Sequence, residues 1–140
     1  MIDVDNEEAF KNLEMYTSDK NYFVTSFDNY SLKKGLEIVG KSRKKEKVLM
    51  TKILYAKNIK KADEEYLDFL SFNYAVEWSN GKIYFPFDNG DATIIIENQR
   101  SARISYIELS QEYKEGITNI VNQIAPEIST TDIKKILKNV

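Results

Sequence analysis

The chain has 140 residues, 42% hydrophobic and 12% aromatic, with 30% charged and a formal net charge of −2. That length and apolar share suit one α+β domain, 1–140, burying about two-thirds of the surface its unfolded chain exposes, and exclude a disordered polyelectrolyte. Cysteine and histidine are both absent, which excludes disulfides, thiolate zinc sites, a cysteine nucleophile and the commonest general base.

Taken in chain order, Asn6 precedes EEAFKNLEMY, where Ala9, Phe10, Leu13 and Tyr16 recur at helical spacing behind an acidic first turn. Tyr22, Phe23 and Phe27 follow in a polar stretch. They are candidates for an exposed aromatic patch, with packing beside the next helix as the rival reading. That helix starts near Asp28 or Ser31, turns Leu32, Leu36 and Val39 to one side and stops at Gly40. KVLMTKILYAK fits a buried strand or a helix stripe and is read as a strand. ADEEYLDFL opens acidic and carries Tyr66, Phe69 and Leu70 at helical spacing, predicting a short helix.

In FNYAVEW, Phe72, Tyr74, Val76 and Trp78 alternate with smaller or polar residues, the period of a half-buried strand. Asn80-Gly81 is a strong hairpin signal, because a type I′ turn needs positive φ at both positions. KIYFPF then returns as the partner strand, with Pro86 marking an edge or bulge. A turn at DNGD leads to ATIIIE and then to ARISYIEL. EYKEGITNIVNQI has Tyr113, Ile117, Ile120, Val121 and Ile124 on one helical face and is ended by Pro126. Thr130 or Thr131 caps a last helix, TDIKKILKNV. The expected fold is therefore α+β: a four- to five-stranded antiparallel meander (about 48–56, 71–79, 82–87, 92–98 and 102–109) with N-terminal helices and two C-terminal helices packed on it.

Charge is segregated along the chain. Residues 1–28 sum to −5, residues 33–61 to +9, residues 62–97 to −7 and residues 98–140 to +1. Two arrangements follow from this. Either the blocks fold against one another and neutralise within a Debye length of about 8 Å, or the basic block covers one face and attracts phosphate or an acidic protein surface. Lysine outnumbers arginine 17 to 3, which disfavours bidentate base readout and makes any nucleic-acid contact nonspecific.

Catalytic patterns are weak. Asp88, Asn89 and Asp91 are hard oxygen donors, but the remaining positions of a calcium loop are missing and turn chemistry accounts for them. Glu97 and Gln99 faintly resemble an acid-x-base pair of metal-dependent nucleases, yet six residues at ~3.3 Å put Asp91 about 20 Å away if both lie on one strand. The five glycines are scattered, so there is no phosphate loop, and no serine sits in a nucleophile elbow.

By elimination the chain reads as a non-catalytic protein of inhibitor, immunity or adaptor type, which needs neither cofactor nor metal. Its expected contact residues are Lys41, Arg43, Lys44, Lys45, Lys47, Lys52, Tyr22 and Phe23, and its expected partner a protein with an acidic surface. The alternative is a nucleic-acid-associated regulator holding phosphates with the basic block 41–61; a metal-dependent enzyme comes third. With an acidic N-terminal segment and no run of eighteen apolar residues, neither a secretory signal nor a membrane span is expected, and a cytoplasmic protein follows. The lysine, isoleucine and asparagine bias suggests A+T-rich coding DNA, hence a bacterial or phage source.

Overall fold

The computed structural model describes residues 18–26, 28–40, 47–55, 61–86, 88–103 and 105–139, the side chains of 61–63 excepted. Three strands, β1 (Tyr22–Thr25), β2 (Val48–Tyr55) and β3 (Val76–Phe85), form one sheet in the order β1-β2-β3. Five helices accompany them among the described residues: α1 (Asn29–Gly40), α2 (Lys61–Ser71), α3 (Asn89–Ser101), α4 (Gln111–Ile124) and α5 (Thr130–Leu137). The helix expected near residue 6 lies outside the described residues, as does Phe27.

The sheet is parallel. β1 runs with β2 in the register Tyr22↔Thr51 through Thr25↔Leu54. On the other side Val48 N donates to Ala75 O (2.9 Å), and the Thr51 and Ser79 hydroxyls meet at 2.9 Å, so that residue numbers rise together along both strands. Parallel neighbours need a crossover, and α1 and α2 supply the two. A mixed helix–strand fold is therefore present, but the antiparallel meander is not.

Three sequence signals account for that correction. The first is Asn80-Gly81, which forms no hairpin: β3 runs straight through it, and no described glycine has positive φ. A type I′ turn needs positive φ at both positions, so the dipeptide here is ordinary strand. Where two strands were expected there is thus one edge strand, Val76–Phe85, preceded by the end of α2 and a turn, and Pro86 follows its last residue, where a missing N–H costs no ladder bond.

The second is ATIIIE, which is helical. Asp88 caps α3, its Oδ1 accepting from Gly90 N at 2.7 Å, and Ala102 closes the helix in the left-handed region at φ 51°. Local β-propensity of the isoleucines loses to these caps and to tertiary bonds made by Asp91. The third is the segment expected as a strand over 102–109, whose described residues are a cap at Ala102 and a turn at 107–108, with Tyr106 and Leu109 buried and Ile107 exposed.

By chain contacts the described residues divide into two compact units. One holds those up to Leu54 and those from 61 to Lys82; the other holds Tyr55 and those from Ile83 onward. In the first, Leu32, Leu36, Leu54 and Leu67 are fully buried, each worth roughly 1.5–3 kcal/mol relative to exposure. Phe23, Lys52 and Trp78, from the three strands, share the sheet face covered by α1 and α2. Phe23 reaches Gly35 of α1, and Lys52 and Trp78 bond to Asp68 and Ser71 of α2.

The second unit is held at a buried carboxylate. Asp91, in the first turn of α3, accepts from Ser110 N (2.7 Å) and from the Ser110 hydroxyl (2.6 Å). Ser110 is itself the cap of α4, its Oγ accepting from Tyr113 N at 3.2 Å. One aspartate so joins the starts of two helices. Beside it Phe85 stacks on Tyr55 at 5.1 Å and meets Tyr113 at 4.7 Å, while the two tyrosine hydroxyls lie 3.2 Å apart. Burial, together with Tyr55, pushes the Tyr113 phenol well above its ordinary value.

Gly116 tests which force decides here. Helix propensity alone favours Gly116→Ala by about 1 kcal/mol, but a Cβ at that position would stand 2.7 Å from both Phe85 and the Tyr84 carbonyl oxygen. A backbone oxygen cannot retreat cheaply, so a net destabilisation of roughly 1–3 kcal/mol is expected by urea unfolding; a more stable variant would refute the packing of α4 on β3.

The start of α1 is pH-dependent. Asp28 Oδ1 accepts from Ser31 N (3.0 Å) and Tyr30 N (3.1 Å), and the bonds to Ser31 hold its carboxyl below the ordinary carboxylate range. A depressed folded-state pKa gives a contribution that is whole above the unfolded value of about 3.9 and is lost as pH falls through the lower folded value. In an NMR titration the Ser31 amide should therefore shift with a midpoint below that of an unfolded-peptide aspartate.

Candidate functional site

The most unusual surface in the first unit is aromatic. On α2, Leu67 is fully buried and Ser71, one turn later, is buried with it, which fixes the inward side of the helix. Phe69 stands two residues from Leu67, about 200° around the axis, and so points away from the core. It is 74% exposed, and Phe72 just beyond the helix is 84% exposed. Tyr30, in the first turn of α1, is 74% exposed under the Lys34 ammonium, which stands 5.9 Å from its ring.

Tyr66 joins the two helices, its hydroxyl donating to Asn29 Oδ1 at 2.8 Å. Four aromatic rings thus lie in or near water on two adjoining helices. Each of the two phenylalanines forgoes roughly 1.5–3 kcal/mol of burial. Single exposed apolar residues are common on protein surfaces, and these four are notable for lying on or next to two neighbouring helices. Exposed Lys33, Lys34, Glu65 and Asp68 lie on the same two helices, a polar surround of mixed sign.

The sequence-derived contact residues are placed differently. Lys41, Arg43, Lys44 and Lys45 lie outside the described residues, and Lys47 is exposed. Lys52 turns inward from the middle strand: it is 7% exposed, its ammonium stands 5.1 Å from the Trp78 ring, and it is ion-paired with Asp68. A lysine in an alternating strand follows the pleat, and the pleat here aims it at α2. Phe23 is also in the core, its ring edge-on to Trp78 at 5.6 Å and against Gly35, so packing beside the helix accounts for it. Tyr22 is half-buried; its hydroxyl finds no partner among the described residues, and burial raises its pKa.

Sequence reading did not single out Tyr30, Phe69 or Phe72 as contacts. In sequence Tyr66, Phe69 and Leu70 stand at helical spacing and Phe72 in an alternating run, which does not tell the inward side from the outward one. The missing signal was Leu67, whose burial rotates α2 so that Phe69 faces out. Asp88 and Asp91, weighed as metal donors, are engaged in capping and in the Ser110 bonds. Among the described residues no three acidic side chains gather as a cation site, and no helix is long and apolar enough to cross a membrane. Because α3 is a helix, the separation of Asp91 and Glu97 is set by ~1.5 Å per residue and not by the strand rise assumed from sequence.

Comparison with protein-family models, with curated proteins and with solved structures finds no match to this chain.

The pairing of Lys52 is open to test. Asp68→Ala would leave the ammonium buried over Trp78 with its carboxylate gone; as the Asp68 side chain is half-exposed, a loss of about 2 kcal/mol is expected, less than for a fully buried pair. Lys52→Met keeps the aliphatic stem and removes the charge, and should change stability by less than about 1 kcal/mol. Equal costs in denaturant unfolding would show that the charge pair is not what holds this face.

Proposed function

We propose that the protein is a non-catalytic binder of another protein, of inhibitor, immunity or adaptor type, and that α1 and α2 present its contact surface. The observation that carries this reading is the exposure of Tyr30, Phe69 and Phe72, at 74%, 74% and 84%, beside the bridging Tyr66. Aromatic side chains are the commonest anchors of protein interfaces because each brings a large rigid area at little entropic cost. Exposed Lys33, Lys34 and Lys47 supply the charge that steers a partner with an acidic surface. Lys52 is excluded from that role by its bond to Asp68.

Co-purification of the tagged chain from its source cells identifies the partner, and titration calorimetry with that partner purified tests the surface. The triple variant Tyr30→Ser/Phe69→Ser/Phe72→Ser should weaken binding by at least about a hundredfold, as loss of interface anchors does, with an unchanged far-UV spectrum. Lys33→Gln/Lys34→Gln should slow association at low salt and leave dissociation nearly unaltered. Undiminished affinity in the triple variant would sink the proposal. Salt-steep binding of the wild type to duplex DNA or structured RNA, with no protein partner, would replace it by the phosphate-contact reading.

A further inference from the structure

In the second unit α4, α5 and the turns before α4 border a half-open cavity of about 360 Å³, lined by Tyr106, Ile107, Gln111, Lys114, Thr118, Lys134 and Lys138. That volume falls within the roughly 300–1,000 Å³ of small-molecule sites. Its lining is one-sided: three lysines and no acidic residue.

The acids on the neighbouring turns are bonded to other side chains and are not part of the lining. Glu115 accepts from Gln111 (3.2 Å), Glu108 from the Ser105 hydroxyl (2.7 Å), and Asp132 from the Ser129 hydroxyl (2.7 Å) while standing 3.7 Å from Lys135. Lys134 and Lys138 therefore have no carboxylate within ion-pair distance among the described residues. Lys134 lies on α5 and Lys138 is the residue that caps its C-terminal end, four positions on and so on the same side. Lys114 is anchored by one bond to the Ile107 carbonyl at 2.7 Å, which commits one of its three protons and leaves two. Its ammonium also stands 5.8 Å from the Tyr106 ring.

Three like charges around one cavity repel, and a dianion placed among them relieves that repulsion while its oxygens accept the free N–H groups. The apolar side of the same cavity comes from the Tyr106 ring and Ile107. We infer that this cavity binds a small ring-bearing phosphomonoester, the phosphate held by Lys114, Lys134 and Lys138 and the ring resting against Tyr106 and Ile107. This site is separate from the protein-contact surface on α1 and α2 and does not depend on it.

Phenyl phosphate, AMP and inorganic phosphate are the probes, titrated at low salt into the full chain and followed by ³¹P and amide NMR. Phenyl phosphate or AMP should bind at least about tenfold more tightly than inorganic phosphate, and should shift amides within 106–118 and 130–138. Binding should fall as sodium chloride is raised. Lys134→Gln and Lys138→Gln, both at exposed positions, should each weaken it about tenfold, the size of one lost charge-assisted bond. Lys135→Gln, on the neighbouring side of α5, should leave it unchanged and serves as the control for nonspecific charge. No binding by either ring-bearing probe, no preference over inorganic phosphate, or equal loss in all three variants would overturn the inference.

Discussion

A charge buried in the middle strand governs the first unit. Lys52 sits on β2 opposite Phe23, with its ammonium over Trp78 and bonded to Asp68 of α2. An ammonium inside a sheet face is tolerated only with a carboxylate partner, so α2 must present Asp68 there. Once Asp68 is placed, helical periodicity puts Leu67 in the core and Ser71 against the Trp78 indole, to which it is bonded at 2.8 Å. The same rotation turns Phe69 into water. The aromatic surface is thus a consequence of how one lysine is neutralised.

The second unit depends on an aspartate in a comparable way. Asp91 gives both carboxylate oxygens to Ser110 and so ties the first turn of α3 to the cap of α4. Fixing the start of α4 sets Gly116 against β3 and leaves Lys114 at the cavity, facing α5. In both units a single carboxylate orients a helix, and the surface that helix presents follows from it.

Much of the local structure was legible in sequence. α1, α4 and α5 each carry apolar residues at the helical spacing read from sequence, α2 is helical though a different side of it is buried, and Gly40 ends the first of them as expected. β2 was read as a strand, within a residue of its end. What misled was strength of local signal: Asn80-Gly81 and a row of isoleucines are good statistical evidence for a hairpin and a strand, yet neither constrains a chain whose partners lie elsewhere. The cap that makes α3 a helix is present in the sequence as Asp88-x-x-Asp91, beside the opposing β-propensity of Ile94, Ile95 and Ile96.

The sequence by itself determined roughly where α1, α2, α4 and α5 lie, that the chain carries an apolar core, and that histidine and cysteine chemistry are excluded. Those are properties of residue type and short-range spacing. Only the tertiary structure decided the direction of the strands, the side of α2 that meets water, and the fate of Lys52, since each depends on a partner far along the chain: Asp68 for Lys52, Ser110 for Asp91, and a neighbouring strand for β3. Composition counts a lysine as a surface charge, and a carboxylate sixteen residues away makes it part of the core.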